Sequence, residues 1–281
     1  MRVAVVELHV DLTRSRWRGT LSGTLREAIR HDAAREDLVR TALAATTDCT
    51  LVVFPGWTFA RARPPAWVVA ASNDRSIVFE CLRDGHSSKC KGGHRKGLQP
   101  KGEEGTDYPW YTYVAQKGKL ALGPMRQVGA VANDLRTGEP RDRLLTALPR
   151  RRFDVAGHDA LLLVCGEANI VGGGGGGRRC WLAEDVPADA LQHRLVVNPA
   201  HTPGGPQAVR DKRAWLSTNG VLISTANTFS GMRGVDAAWT ATRVWSRGKV
   251  VPLRWKDADD ESRVRIAKGE FTSRSFRATP A

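Results

Sequence analysis

Cys165 closes the apolar run Leu161–Val164 and is followed by Gly166-Glu167-Ala168-Asn169. A thiol at the tip of a buried strand, with glycine next to it, has the pattern of a nucleophile elbow. The backbone must turn sharply there, and its N–H groups can face a developing oxyanion. On its own the pattern carries little, because cysteine is often buried and inert. A second candidate is Lys96, within His94-Arg95-Lys96-Gly97-Leu98. A lysine beside a thiolate lowers the thiol's pKa and can hold a negative tetrahedral intermediate, whereas a solvated lysine in a basic loop does neither. Cys81, His86, Cys90 and His94 bring four zinc-capable side chains into one stretch, but without the close C-x2-C pair of common structural sites, so no metal is expected. The glycine run Gly172–Gly177 precedes Arg178-Arg179. It lacks the lysine–Ser/Thr ending of a phosphate loop and is read as a flexible loop near a pocket mouth.

The elements that would position these groups follow from apolar periodicity. Val3–Leu8 and Leu51–Phe54 are short apolar runs that suit buried strands, the second stopping at Pro55-Gly56. Thr24 to Ala45 has helical spacing with a polar interruption over Arg30–Glu36. Trp67–Ala71 and Ser76–Leu82 read as strands around Asn73-Asp74, and Gly85–Asp107 as a lysine-rich loop. In the second half, Arg152–Val155, Ala160–Val164, Leu195–Asn198 and Val221–Ala226 read as strands, and Val209–Thr218 as a helix. Trp239–Trp245 and Val250–Leu253 form a hairpin around Arg247-Gly248-Lys249. Strands separated by helices point to a layered α/β fold. The expected organisation is one domain over 1–256 and a polar tail over 257–281.

Order along the chain adds a further layer. VAVVELHVDL at the N-terminus is followed by LVVFPGW (Leu51–Trp57), RSIVFE (Arg75–Glu80) and HRKGLQPKGEE (His94–Glu104). LLLVCGEANIV (Leu161–Val171), VVNPAHTPGG (Val196–Gly205) and RDKRAWLSTNGVLISTANTFSG (Arg210–Gly231) complete the series. In these segments and their order the chain resembles the nitrilase, or carbon–nitrogen hydrolase, superfamily. The resemblance implies a four-layer αββα sandwich, usually paired into a homodimer, that cleaves amides, nitriles or carbamoyl compounds without a cofactor. By the matching positions, Cys165 would form a covalent thioester. Lys96 and the N–H after Cys165, at Gly166, would hold the oxyanion. Glu104 would orient substrate, with Glu103 as its alternative, and Glu167 and Asn169 would lie at the substrate side. One departure is serious: the family's general-base glutamate falls on Gly56, in Phe54-Pro55-Gly56-Trp57. A base typically contributes 10²–10⁴-fold, so its loss matters. Glu7, Glu80, Glu104 and Glu167 are the carboxylates that could compensate, and a carboxylate restored at position 56 is expected to face the thiol. A catalytically inactive binding module is the alternative reading.

Composition narrows the remaining classes. The 281 residues carry Lys+Arg 43 against Asp+Glu 29, a net charge of +14, which attracts polyanions. No block of five consecutive basic residues occurs, and aromatic residues are only 7%, with no interleaved basic–aromatic strand. Nucleic-acid binding is therefore not expected. No apolar run approaches the length of a membrane span, and the N-terminus lacks a cleavage-site pattern. Five scattered cysteines suit free thiols in a reducing cytoplasm.

Overall fold

The first strand, β1 (Arg2–Asp11), is apolar on both faces. Ala4, Val6 and Leu8 pack to one side and Val3 and Val5 to the other, all fully buried. Such a strand needs cover on both faces, which demands layers rather than a half-solvated sheet. The structure, a computed structural model, describes residues 1–14, 21–82, 110–128, 138–172, 179–180, 191–192, 194–201, 207–230 and 242–279. After β1 come α1 (Leu21–Arg30), α2 (Arg35–Ala44), β2 (Leu51–Val53), α3 (Ala66–Ala70) and β3 (Ser76–Leu82). Then β4 (Trp110–Gln116), β5 (Lys119–Met125), α4 (Glu139–Ala147), β6 (Arg152–Val155) and β7 (His158–Leu162) follow. The short β8 (Val171–Gly172) and β9 (Arg179–Cys180) pair with each other. The chain continues through β10 (Leu195–Pro199), α5 (Gln207–Leu216), β11 (Val221–Thr225) and β12 (Thr228–Ser230). It ends with β13 (Arg243–Ser246), β14 (Lys249–Val251), β15 (Trp255–Asp257), β16 (Val264–Thr272) and β17 (Ser275–Ala278).

Two sheets result. One has the order β15-β16-β1-β2-β3-β4-β5, with β12 also paired to β1 and β17 to β16; the other has the order β14-β13-β11-β10-β7-β6. The central strands of each sheet, β1-β2-β3 and β7-β10-β11, are parallel. Val3, Val5, Val53 and Val78 meet Leu162, Val197 and Ile223 between the sheets. Leu38, Val39 and Leu43 of α2 cover the first sheet, and Leu144 of α4 and Leu216 of α5 cover the second. The layers run helix, sheet, sheet, helix. Among the described residues, no helix is long and apolar enough to cross a membrane.

Three elements depart from the sequence expectation. The helical stretch from Thr24 is two helices, broken where Asp32 turns to pair with Arg263 at 2.6 Å. Trp67–Ala71 lies in the helical turn α3 rather than a strand; extended Pro65 fixes its start and Val68 is its buried anchor. The stretch over 257–281, expected as a polar tail, contributes β16, which lies antiparallel along β1 from Arg2↔Glu270 to Leu8↔Val264. Val264, Ile266 and Phe271 are buried there while Glu270 and Thr272 face out, so the strand is polar by composition yet central by position.

Glu7 lies on the same face of β1 as Val3 and Val5, buried, with Arg265 at 3.5 Å. Burial pushes its carboxyl from 4.5 to about 7, against the opposing effect of Arg265. Because the folded value exceeds the unfolded one, Glu7 contributes stability in acid that is lost as pH rises from 4.5 through about 7. Glu7→Gln should therefore be about 3 kcal/mol more stable than wild type at pH 8 and nearly equal at pH 4. Urea unfolding at the two pH values reads this, and equal stabilities at pH 8 would contradict it.

Candidate active site

Parallel strands gather functional groups at their carboxyl ends, and here both sheets present those ends together. β2 runs into Phe54-Pro55-Gly56-Trp57, β7 into Cys165, β10 into His201 and β11 into Asn227. Hydrogen bonds stitch the two sheets at this point. Gly56 N–H donates to the Ala200 carbonyl at 2.9 Å, Thr225 Oγ1 to the Phe54 carbonyl at 2.8 Å, and Asn227 Nδ2 to the Gly56 carbonyl at 2.8 Å. Fully buried Arg35 of α2 donates to the Trp57 and Thr58 carbonyls, both at 3.1 Å, and to Asn227 Oδ1 at 2.6 Å. That bracing holds Trp57 at φ +54°, a left-handed conformation that a bulky residue adopts only when its surroundings compel it.

Cys165 has a φ of +35° and opens a 3-10 turn, Cys165–Ile170. This is the strained turn a nucleophile elbow requires. Two side chains brace it. Asn198 Nδ2 donates to the carbonyls of Leu163 (2.7 Å) and Cys165 (3.0 Å), and Ser224 Oγ donates to Asn198 Oδ1 at 3.1 Å. Glu167 folds back beneath the turn, accepting from Val164 N–H at 2.8 Å and Val128 N–H at 2.7 Å while paired with buried Arg151. Burial raises the Glu167 pKa, and Arg151 pulls against it. Arg213 of α5, its guanidinium 5.7 Å from the Trp245 ring, is also buried; burial lowers its pKa to about 10, and the charge of Cys165 works in the other direction.

His201 pairs with a buried carboxylate. Its Nε2 is 2.6 Å from Glu80 Oε1, and both side chains are buried. Glu80 also accepts from Trp57 N–H at 2.8 Å and Thr112 Oγ1 at 3.0 Å. Trp57 stacks on the imidazole at 4.1 Å and 4°, and Trp110 meets it edge-on at 4.5 Å. Cys165 lies near enough to the same ring for its charge to act on it. Burial opposes charge on His201, but Cys165 and Glu80 together outweigh it and raise its pKa to about 10. An imidazolium flanked by a thiol and a carboxylate can exchange protons with the sulfur while its ring plane stays fixed.

No family model matches the chain, and no curated protein matches it. Solved structures do. A glutamine-dependent NAD+ synthetase from Acinetobacter baumannii, in complex with ADP, aligns over 100% of this chain at 14% identity and a TM-score of 0.51. This chain spans 48% of that synthetase's length. A carbon–nitrogen hydrolase superfamily protein from Xanthomonas campestris, with an arsenic adduct in its active site, aligns over 95% of this chain and 90% of its own at 12% identity and a TM-score of 0.51. The chain has the nitrilase-superfamily fold.

Within that nitrilase fold the sequence-derived site residues divide. Cys165 and Gly166 occupy the elbow, Gly166 buried directly behind the thiol's turn. Asn169 lies in the same 3-10 turn. Glu167 has both carboxylate oxygens engaged by Arg151 and backbone N–H groups, so it faces the underside of the elbow. Lys96 and Glu104 lie outside the described residues, as do His86, Cys90, His94 and the glycines after Gly172 in the Gly172–Gly177 run. Cys81 is buried in β3, and among the described residues no cluster of three metal-capable side chains occurs. Of the compensating carboxylates among the described residues, Glu80 is the one against His201, whereas Glu7 pairs with Arg265. At Gly56 an ideal Cβ would fall 2.4 Å from His201 Cδ2 and 3.0 Å from the Ala200 carbonyl. The space the nitrilase pattern gives to a glutamate side chain is filled by the imidazole, so a restored carboxylate does not fit as expected. His201 itself escaped sequence reasoning. Its visible signal was a histidine directly after a buried parallel strand, matched by Glu80, a lone carboxylate in the apolar run Ser76–Leu82.

Proposed function

We propose that the chain is a hydrolase that cleaves a carbon–nitrogen bond in a small amide, nitrile or carbamoyl compound through a thioester on Cys165. The observation that carries the reading is the strained elbow, which leaves Cys165 partly exposed beside His201. Cys49 and Cys81 are buried; burial pushes the Cys49 thiol to about 12 and raises the Cys81 thiol as well. They are poor nucleophiles by comparison. With an amide, the thiolate attacks the carbonyl carbon and the C=O electron pair moves to oxygen. Gly166 N–H and Lys96 hold that oxyanion, and Glu104 orients the substrate. The C–N bond then breaks and ammonia or an amine leaves. Water splits the thioester to release the acid and the free thiol. Asn169 lines the substrate side, Glu167 acts through the elbow that it braces, and a pair of chains continues the sandwich.

Ammonia release across a panel of small amides, nitriles and carbamoyl compounds tests the reaction class. At least one should give turnover that Cys165→Ala abolishes. Turnover that survives Cys165→Ala, or a folded wild type inert to the whole panel, would contradict the proposal.

A further inference from the structure

We propose that His201, oriented by Glu80, is the proton acceptor and donor for Cys165, a Cys165–His201–Glu80 relay standing where the nitrilase pattern has a glutamate at position 56. The relay rests on Cys165 as nucleophile, not on which C–N compound is cleaved. Geometry carries it. The imidazole fills the volume a side chain at position 56 would need, with Cδ2 only 2.4 Å from that Cβ position. Glycine at 56 is thus the condition for histidine at 201. Glu80 lies 2.6 Å from Nε2 and is itself aimed by Trp57 N–H and Thr112 Oγ1. Trp57 and Trp110 hold the ring on its face and edge, so it has little freedom to swing away from the thiol. A nucleophile, a base and an orienting carboxylate brought together is the arrangement that unrelated cysteine and serine hydrolases reach on different folds.

The proton accounting closes for an amide. In the resting pair His201 already holds the Cys165 proton; the thiolate bonds to the carbonyl carbon, and the imidazolium gives that proton to nitrogen as the C–N bond breaks, so ammonia leaves and a thioester remains. The neutral ring next takes a proton from water as the water oxygen attacks the thioester. The thiolate then leaves as the C–S bond breaks, and the proton stays on His201. The sum is amide plus water giving acid plus ammonia, with the relay restored. His201 is the catalytic residue here. Glu80 is a positioning residue, because it acts through the ring.

Among the described residues the charged groups acting on the ring are Glu80 from β3 and Cys165 from the elbow, and Arg213 of α5 also couples to Cys165. The test is the rate of Cys165 alkylation by iodoacetamide against pH, read by peptide mass spectrometry for wild type, His201→Asn and Glu80→Gln, each checked for folding. In wild type the reaction should persist well below pH 8, where an ordinary thiol is protonated. His201→Asn should lose this acid limb and fall by about tenfold or more at pH 6. Glu80→Gln should shift the limb by a smaller amount, an effect on the pH profile that a purely structural residue would not produce. Matching profiles in wild type and His201→Asn would overturn the relay. If His201→Asn does not fold, histidine-labelled wild type decides by NMR. An imidazolium that persists above pH 8 and loses its charge earlier after Cys165 is alkylated supports the relay, and a neutral His201 at pH 7 overturns it. An acid limb in a protein that releases no ammonia supports the relay and overturns only the substrate class.

Discussion

Gly56→Glu should lose both stability and activity, although it restores the residue type that the nitrilase pattern places there. Its Cβ would fall 2.4 Å from the His201 ring and 3.0 Å from the Ala200 backbone. The ring is clamped between Trp57 and Trp110, so neither neighbour yields cheaply. Overpacking of this kind costs about 1–3 kcal/mol, and burying an unpaired carboxylate adds to it. The same clash drives the imidazole off Glu80 and Cys165, so turnover should fall by about 10²-fold or more, the usual worth of a general base. Gly56→Ala should show a weaker form of both effects. Thermal unfolding and ammonia release measured on the same samples decide the matter. A stable Gly56→Glu protein with faster turnover than wild type would show that position 56 still accepts the base.

The second large effect lies beneath the elbow. Glu167→Ala should destabilise the fold by about 3–5 kcal/mol, because it leaves Arg151 buried without its counter-charge. It also leaves the N–H groups of Val164 and Val128 without an acceptor. Replacing both ends of the pair, as in Glu167→Leu with Arg151→Met, should recover much of that loss, since apolar groups of similar size leave no stranded charge. Denaturant midpoints for the single and double variants measure it. Strict additivity of the two substitutions would show that the pair is not energetically coupled.

Legibility in the sequence followed the range of the interactions. The runs Val3–Leu8 and Leu51–Phe54 and the tip at Cys165 were readable because a buried parallel strand writes itself locally, as a short apolar block with a turn at its end. Cys165 and Gly166 lie in the 3-10 turn after β7. β16 was hidden because it is a central strand with polar residues at its outer positions, and only its pairing with β1 shows that Val264, Ile266 and Phe271 point inward. The relay was hidden for a different reason. His201 and Glu80 are 121 residues apart and meet only because two sheets press their carboxyl ends together. Gly56, read alone, signals a missing base; read with His201 it marks space already occupied. A glycine reports only what its own side chain does not fill, never what a distant one does.

The most direct measurement is an acid-quenched single turnover with the best substrate from the amide panel, followed by peptide mass spectrometry. An acyl group should form on the Cys165 peptide and decay within the turnover time in wild type, and be absent in Cys165→Ala. Product formed at the full rate with Cys165 never acylated, or an acyl group found instead on another residue, would contradict it.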